Sequence, residues 1–432
     1  MASPFQESTD LVRVHAAGPV EAKATVPGSK SLTNRFLLLA AMAEGSSLLS
    51  NPLSSDDTRY MREALAQLGV AVQEETQGWR VTGRGRWQSP SETLFIGNAG
   101  TAMRFLTPAL AACSEQAAIT GNERMLVRPI GDLVDGLRQL GVTVTYTGQA
   151  GYPPLRVRGP LTSGRAAIRG DASSQYLSGL LMALPLAQGH SDIHIEGSLV
   201  SRTYVDMTLD CMAALGVKVD PTADYTHFSI PGNQRYQARA IAIEPDASTA
   251  SYWLALPLMV GGGVTIPEIP EKSHQGDFGL IEILEKMGAR VERNEGAIRI
   301  EAAELRGVDV DMNTQSDVAP TLAVVATRAK SPTTIRNIYN MRIKECDRID
   351  TLQRAFDSLG LTMESGRDWI KVYPGRVSRP GTVDPEDDHR MAMVFALLGL
   401  ADGGVSITTP ECVAKTYPNF YRDFGRVLAR RD

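Results

Sequence analysis

The sequence predicts an α/β fold built from six βαβαββ repeat units, three in each of two domains. Two recurring patterns and the chain length predict it. The first pattern is a helix that ends in Leu-Gly or Met-Gly and runs at once into a β-rich segment: ALAQLGVAV, GLRQLGVTV, MAALGVKV, ILEKMGARV and FDSLGLTM. Its glycines, Gly69, Gly141, Gly216, Gly288 and Gly360, are spaced by 72, 75, 72 and 72 residues. Each fits the position just past a helix C-terminus, where a positive φ is needed and a Cβ is costly. A strand, a polar turn and a second strand follow, as in GARVERNEGAIRIE. A sixth helix, NFYRDFGRVLARRD, closes the chain where the next glycine would fall.

The second pattern repeats in step with the first. It is a short strand, a polar turn and a strongly apolar helix, as in ATVPGSKSLTNRFLLLAAMAEG, LFIGNAGTAMRFLTPALAA, AAIRGDASSQYLSGLLMALPLA, IAIEPDASTASYWLALPLMVGG, VDVDMNTQSDVAPTLAVVATRA and GTVDPEDDHRMAMVFALLGLADG. Helices apolar nearly all round belong in the middle of a domain. At 432 residues the chain is too long for one core. The simplest division places units one to three in an inserted domain, residues 23–240. Units four to six then form a discontinuous domain, residues 1–22 and 241–432, with the strand-like run LVRVHA near residues 11–16 pairing in the later half. Two chain crossings would restrict relative motion to a hinge.

Composition narrows the function. Hydrophobic residues make up 43% and charged residues 22%, and the net charge is −5, which lacks the basic excess of a dedicated nucleic-acid binder. The longest apolar stretch, Trp253 to Ile266, contains Pro257 and three glycines and falls short of the roughly 20 residues a membrane span needs. MASPFQESTD has neither the positive flank nor the apolar core of a signal peptide. Cys113, Cys211, Cys346 and Cys412 are far apart and make no disulfide framework, so a cytoplasmic location is expected. His190 and His194 enter a strand, where their spacing does not share a helix face, and they are not read as metal ligands.

The polar turns carry the chemistry. A buried helix that starts from a short polar turn aims free backbone N–H groups outward and binds anions, phosphate above all. The first turn holds Lys30, Ser31, Asn34 and Arg35, and the second holds Asn98, Gly100, Thr101 and Arg104. The third holds Ser173, Ser174 and Gln175, the fourth Ser248 and Thr249, the fifth Asp317, and the sixth Asp388, His389 and Arg390. Ser, Thr, Asp and Asn are also plain N-caps worth about 1 kcal/mol each, and Ser248 and Thr249 are read that way. Lys30, Arg35 and Arg104 are different: cations in the first turns of an apolar helix oppose the macrodipole, and an anionic ligand is the expected compensation. The amphipathic helices open on Arg128, on Ser201 with Arg202, on the run from Asn340 to Arg348, and on Lys415. Gly28-Ser29-Lys30-Ser31 lacks the upstream glycine of a P-loop, and neither GxGxxG nor GxSxG stands in the required context.

Taken together, VPGSKSLTNR, LFIGNAGTAMR, DASSQY, the Asp317 turn, NIYNMRIKECDR, DDHRMAM and AKTYP resemble the 5-enolpyruvylshikimate-3-phosphate synthase family, in the family's order, from about Lys23 to Phe420. The resemblance implies a two-domain inverse α/β barrel with the site in the cleft. It implies that the 5-hydroxyl of shikimate 3-phosphate adds to C2 of phosphoenolpyruvate while C3 takes a proton, and that the adduct then loses phosphate and the C3 proton. No metal or organic cofactor is implied; the partners are the two small-molecule substrates, with no nucleic acid and no membrane, and a monomer is expected. Matched position by position, Lys30, Gly100, Arg128, Gln175, Arg348, Arg390 and Lys415 would hold phosphoenolpyruvate. Lys30, Ser31, Arg35, Ser173, Ser174, Gln175, Ser201, Asp317, Asn340 and Lys344 would hold shikimate 3-phosphate. Asp317 would take the hydroxyl proton, Glu345 would protonate C3 and Lys30 would assist proton transfer, acid and base each contributing about 10²–10⁴-fold. Family members often carry Pro where this chain has Phe105; glyphosate, the family's phosphoenolpyruvate-site inhibitor, is still expected to bind because Gly100 leaves room.

Two other readings compete. UDP-N-acetylglucosamine enolpyruvyl transferases share the fold and chemistry that the resemblance implies but carry a catalytic Cys on the loop matching GNERMLVRPI, where this chain has none. A non-catalytic anion-binding module would use the serines and arginines, yet gains nothing from Asp317 and Glu345 beside its ligand.

Overall fold

The computed structural model describes residues 3–270, 272–273 and 275–429, and the last residues of the predicted closing helix lie outside them. The chain divides into two compact units, Gly28–Glu244 and Met1–Pro27 with Pro245–Asp432. Helices of the first unit are α1 (Lys30–Met42), α2 (Asp56–Gln67), α3 (Gly100–Cys113), α4 (Gly131–Gln139), α5 (Ser174–Ala183) and α6 (Arg202–Ala214). Those of the second are α7 (Ala247–Val260), α8 (Leu280–Met287), α9 (Ala319–Ala326), α10 (Arg348–Leu359), α11 (His389–Asp402) and α12 (Phe420–Ala429).

The apolar helices are the odd-numbered ones, and they are buried nearly all round. In α9 every residue is buried, and in α3 only Ala112 is not. α3 lies against α1 and α5 in one unit, and α7, α9 and α11 pack on one another in the other. Outside them stand four-stranded sheets, three to a unit among the described residues. Strands such as Leu155–Arg158 alternate buried and exposed residues, so one face of the sheet meets the helices and the other meets solvent. Helices inside and sheets outside make each unit an inverse α/β barrel with its own hydrophobic core. Each even-numbered helix through α10 joins two strands of one sheet. Gly69, Gly141, Gly216, Gly288 and Gly360 all have positive φ, between +71° and +109°, as the predicted helix ends require.

All six sheets share one pairing scheme. A strand leading into a buried helix pairs parallel with the strand leaving one, and two further strands add antiparallel. In the sheet around Val405–Thr408 the antiparallel strands come from the chain start, Leu11–Val14 and Phe5–Glu7. Two sheets exchange their leading strand. Val20–Lys23, which precedes α1, pairs with Gly262–Ile266 after α7, and Ala240–Ala242, which precedes α7, pairs with Glu44–Ser50 after α1. The units therefore change at Pro27/Gly28 and Glu244/Pro245, five and four residues beyond the divisions expected at 22/23 and 240/241. The physical reason is hydrogen bonding: Ile243 N still bonds to Ser50 O, and Ala24 N still bonds to Thr265 O.

Candidate active site

In the unit Gly28–Glu244, α1 is capped by Ser29, whose hydroxyl accepts from Leu32 N at 3.4 Å. That places Lys30 in the first turn, where its Nζ lies 3.2 Å from Asp57 Oδ2 with both side chains largely buried. Arg35 is one turn on and 1% exposed. Its Nε donates to Thr208 Oγ1 at 2.8 Å, and its other nitrogens donate to the carbonyls of Ser31 and Tyr204. Among the described residues no carboxylate pairs with it, and burial pulls its pKa down to about 10. The guanidinium carbon sits 5.0 Å from the centre of the Phe105 ring, so this aromatic side chain is a cover for a buried cation.

The start of α3 has no side-chain cap. Arg128 Nη1 donates to both the carbonyl and Oδ1 of Asn98, at 3.1 and 2.9 Å, and this lays the guanidinium across the helix start. A Cβ on Gly100 would stand 2.6 Å from Arg128 Nη2, so glycine is what allows the approach. A cation parked at a helix N-terminus runs against the macrodipole, and an anion there would relieve it. Arg104 donates to Gln175 Oε1 at 2.7 Å, and Gln175 Nε2 donates to Thr101 Oγ1 at 3.2 Å. Since guanidinium only donates, this contact fixes which way the Gln175 amide faces. Arg104 thus orients Gln175. Ser173 caps α5 through Gln175 N at 3.3 Å, and Ser174 is buried in its first turn. Ser201 occupies the N-cap position of α6 with φ +52° and makes no side-chain cap bond.

The other unit gathers its charges more tightly. Asp317 sits in the 3₁₀ turn Asn313–Val318. Its Oδ1 is 3.0 Å from Arg348 Nη1 and 3.4 Å from Lys344 Nζ, and its Oδ2 accepts from Arg390 Nη2 at 2.9 Å. Arg348, 1% exposed at the start of α10, also donates through Nε to Asp388 at 2.8 Å and through Nη2 to Glu345 Oε2 at 2.9 Å. Lys415, at the end of the turn Pro410–Lys415, is 3.7 Å from Glu345 Oε1. Asn340 is buried in the turn Tyr339–Ile343. Burial opposes charge on Asp317, but Arg390, Lys344 and Arg348 outweigh it and hold the carboxyl well below its usual range. Burial likewise lowers Lys344, against the pull of Asp317. Arg348 ends above its usual value because Asp388, Glu345 and Asp317 overcome its burial.

The sequence reading of Ser248 and Thr249 as plain caps is corrected. Asp246 caps α7, accepting from Thr249 N at 2.7 Å. The Ser248 hydroxyl instead donates to Asp277 and accepts from Arg390 Nη2 at 3.2 Å. Asp57 and Asp277 are contacts that sequence reasoning missed, because each lies in a segment remote from the side chain it meets. Asp388 was visible only as a turn residue; it caps α11 through Arg390 N and pairs with Arg348. Among the described residues no group of three or more His, Cys, Asp or Glu side chains is placed to hold a metal ion.

Among solved structures, an EPSP synthase from Acinetobacter baumannii aligns with a TM-score of 0.81 at 26% identity, covering 97% of this chain and 98% of that one. The fold and its neighbours thus define the enolpyruvyl transferase class. The family described as EPSP synthase (3-phosphoshikimate 1-carboxyvinyltransferase) matches residues 14–424. Curated proteins named 3-phosphoshikimate 1-carboxyvinyltransferase are 44% identical in Shewanella denitrificans, over 94% of this chain and 96% of that protein, and 44% in Serratia proteamaculans, over 97% and 99%. The chain belongs to the EPSP synthase family.

Proposed function

We propose that this chain transfers the enolpyruvyl group of phosphoenolpyruvate to the 5-hydroxyl of shikimate 3-phosphate, releasing phosphate, as the sixth step of the shikimate pathway. The supporting observation is that Asp317 and Glu345 are bound to the two terminal nitrogens of one buried guanidinium, that of Arg348. A base and an acid are thereby held side by side among cations. In this reading Asp317 takes the proton of the 5-hydroxyl as it attacks C2, and Glu345 delivers a proton to C3. The adduct then loses phosphate, with the C3 proton removed.

The charge pattern explains how so acidic a carboxyl can act as a base. Arg390, Lys344 and Arg348 depress Asp317 in the arrangement described. Anionic substrates would draw on the same cations, weaken that pull and raise the basicity of Asp317 when it is needed. Arg348, Arg390 and Lys415 are assigned to phosphoenolpyruvate, as are Lys30, Gly100, Arg128 and Gln175. Ser31, Arg35, Ser173, Ser174, Gln175 and Ser201, with Lys30, Asp317, Asn340 and Lys344, are assigned to shikimate 3-phosphate. Lys30, ion-paired with Asp57, is the proposed proton shuttle. We further propose a cytoplasmic monomer that is inhibited by glyphosate.

The test is phosphate release from phosphoenolpyruvate with shikimate 3-phosphate as acceptor. Asp317→Ala and Glu345→Gln should each cut turnover roughly 10²–10⁴-fold while ligand dissociation constants change far less. Equal losses in turnover and affinity favour an anion-binding module, and release only with an aminosugar nucleotide overturns the acceptor.

A further inference from the structure

The 3₁₀ turn Gly276–Gly279 carries a buried carboxylate that the reaction scheme above leaves unused, Asp277. The preceding Gln275 fastens this turn to the start of α7. Its Oε1 accepts from Ala247 N at 3.1 Å and its Nε2 donates to Pro245 O at 2.9 Å. Asp277 is therefore held against the first turn of α7, where Ser248 meets it. The Ser248 hydroxyl donates to Asp277 Oδ2. A hydroxyl has a single proton, so once that proton faces Asp277 the oxygen offers only lone pairs in other directions. One of those directions holds Arg390 Nη2, at 3.2 Å, and the same nitrogen donates to Asp317 Oδ2 at 2.9 Å.

We propose that Asp277 is a positioning residue for enolpyruvyl transfer, which acts through the Ser248 hydroxyl to fix the Arg390 guanidinium against Asp317. The proposal rests on the reading above that Asp317 and Arg390 serve the reaction. Burial pushes the Asp277 carboxyl up to about 6, with Asp317 adding to the rise and Arg390 opposing it, and its Oδ2 accepts the Ser248 proton. A methyl in its place would leave the Ser248 hydroxyl proton with no acceptor on this side, free to turn toward the guanidinium. The lone pair that steadies Arg390 would then be lost although Ser248 itself is unchanged, whereas an amide at 277 could still accept the proton through its oxygen. Neither Asp277 nor Ser248 needs to touch substrate for this.

The experiment compares Asp277→Ala, Asp277→Asn, Ser248→Ala and Ser248→Thr in the full chain, with Asp317→Ala alongside. Phosphate release is followed at neutral pH, and folding is checked by circular dichroism. Asp277→Ala should lower kcat about 10- to 100-fold and Ser248→Ala about 10-fold, with KM for shikimate 3-phosphate within threefold of the parent, whereas Asp277→Asn, whose Oδ1 can accept the Ser248 proton, should lose less than Asp277→Ala. Ser248→Thr, which keeps the hydroxyl, should restore most of the loss. The double variant Asp277→Ala/Ser248→Ala should be no slower than Asp277→Ala alone, because both act through one chain of contacts. Multiplying losses, or parental kcat in Asp277→Ala or Ser248→Ala, would overturn the proposal. If Asp277→Ala does not fold, parental kcat in Ser248→Ala still overturns the proposal, and a loss in Asp277→Asn smaller than that in Ser248→Ala supports it. Loss in Asp317→Ala with none at Asp277 and Ser248 removes the relay alone. No loss in Asp317→Ala removes the catalytic reading and the proposal with it.

Discussion

At the scale of single residues, space and charge fix the candidate site together. Gly100 is the sharpest case. Its missing Cβ lets Arg128 lie across the start of α3, with the nearest nitrogen 2.6 Å from where a methyl would stand. Gly100→Ala must push that guanidinium aside, and the Asn98 contacts that hold it at 2.9 and 3.1 Å would lengthen. Charged hydrogen bonds of this kind are worth about 1.5–3 kcal/mol, so KM for phosphoenolpyruvate should rise roughly 10- to 100-fold. KM for shikimate 3-phosphate should stay within about twofold, and an equal rise in both would detach Arg128 from phosphoenolpyruvate. The residue types at the helix starts were legible because an N-cap is a local event: Ser29, Ser173 and Asp388 cap the helices that follow them directly. Which of these hydroxyls and carboxylates also meets a distant partner was not legible. Ser248 and Asp277 are in different elements, and no local pattern pairs them.

At the scale of elements, periodicity told more than composition. The helices read as apolar all round are the buried odd-numbered ones, and the helices read as amphipathic bury one stripe. α12 shows how such a stripe is used. Phe424 is fully buried and stacks on Trp253 of α7, with ring centres 3.9 Å apart and planes inclined by 27°, while Phe420 meets Tyr252 edge-on. Removing the Phe424 ring leaves a cavity that these neighbours cannot close. Phe424→Ala should cost about 3–5 kcal/mol, measurable by urea unfolding followed through tryptophan emission. A loss below about 1 kcal/mol would mean that α12 is not part of the core. Strand partners were far less legible than helices. AIA at residues 240–242 has three residues and no exposed-buried alternation sharp enough to name its neighbour, and its true partner, Leu48–Ser50, lies in the first repeat.

At the scale of the whole molecule, the count of six units came from the two patterns repeating in step, whereas the place where one unit gives way to the other depended on that exchanged strand. The exchange makes a quantitative claim. Every strand in the sheets of the unit Gly28–Glu244 lies within residues 28–244, including Ala240–Ala242. A polypeptide of residues 28–244 therefore carries a complete core and should melt as one cooperative transition. A polypeptide of residues 23–240 keeps five residues from the other unit but loses most of the edge strand and Ile243, which is buried against this core. Burial of one such side chain is worth about 1.5–3 kcal/mol, and in a chain of this size each kcal/mol moves the melting point by about 2–4 °C. The shorter-ended polypeptide should thus melt about 5–10 °C below the 28–244 form, with an exposed face on Leu48–Ser50 that promotes association. Calorimetry on the two, at matched concentration, distinguishes the boundaries: equal melting points would show that Ala240–Ala242 adds nothing to the unit and that the division belongs at residue 240 after all.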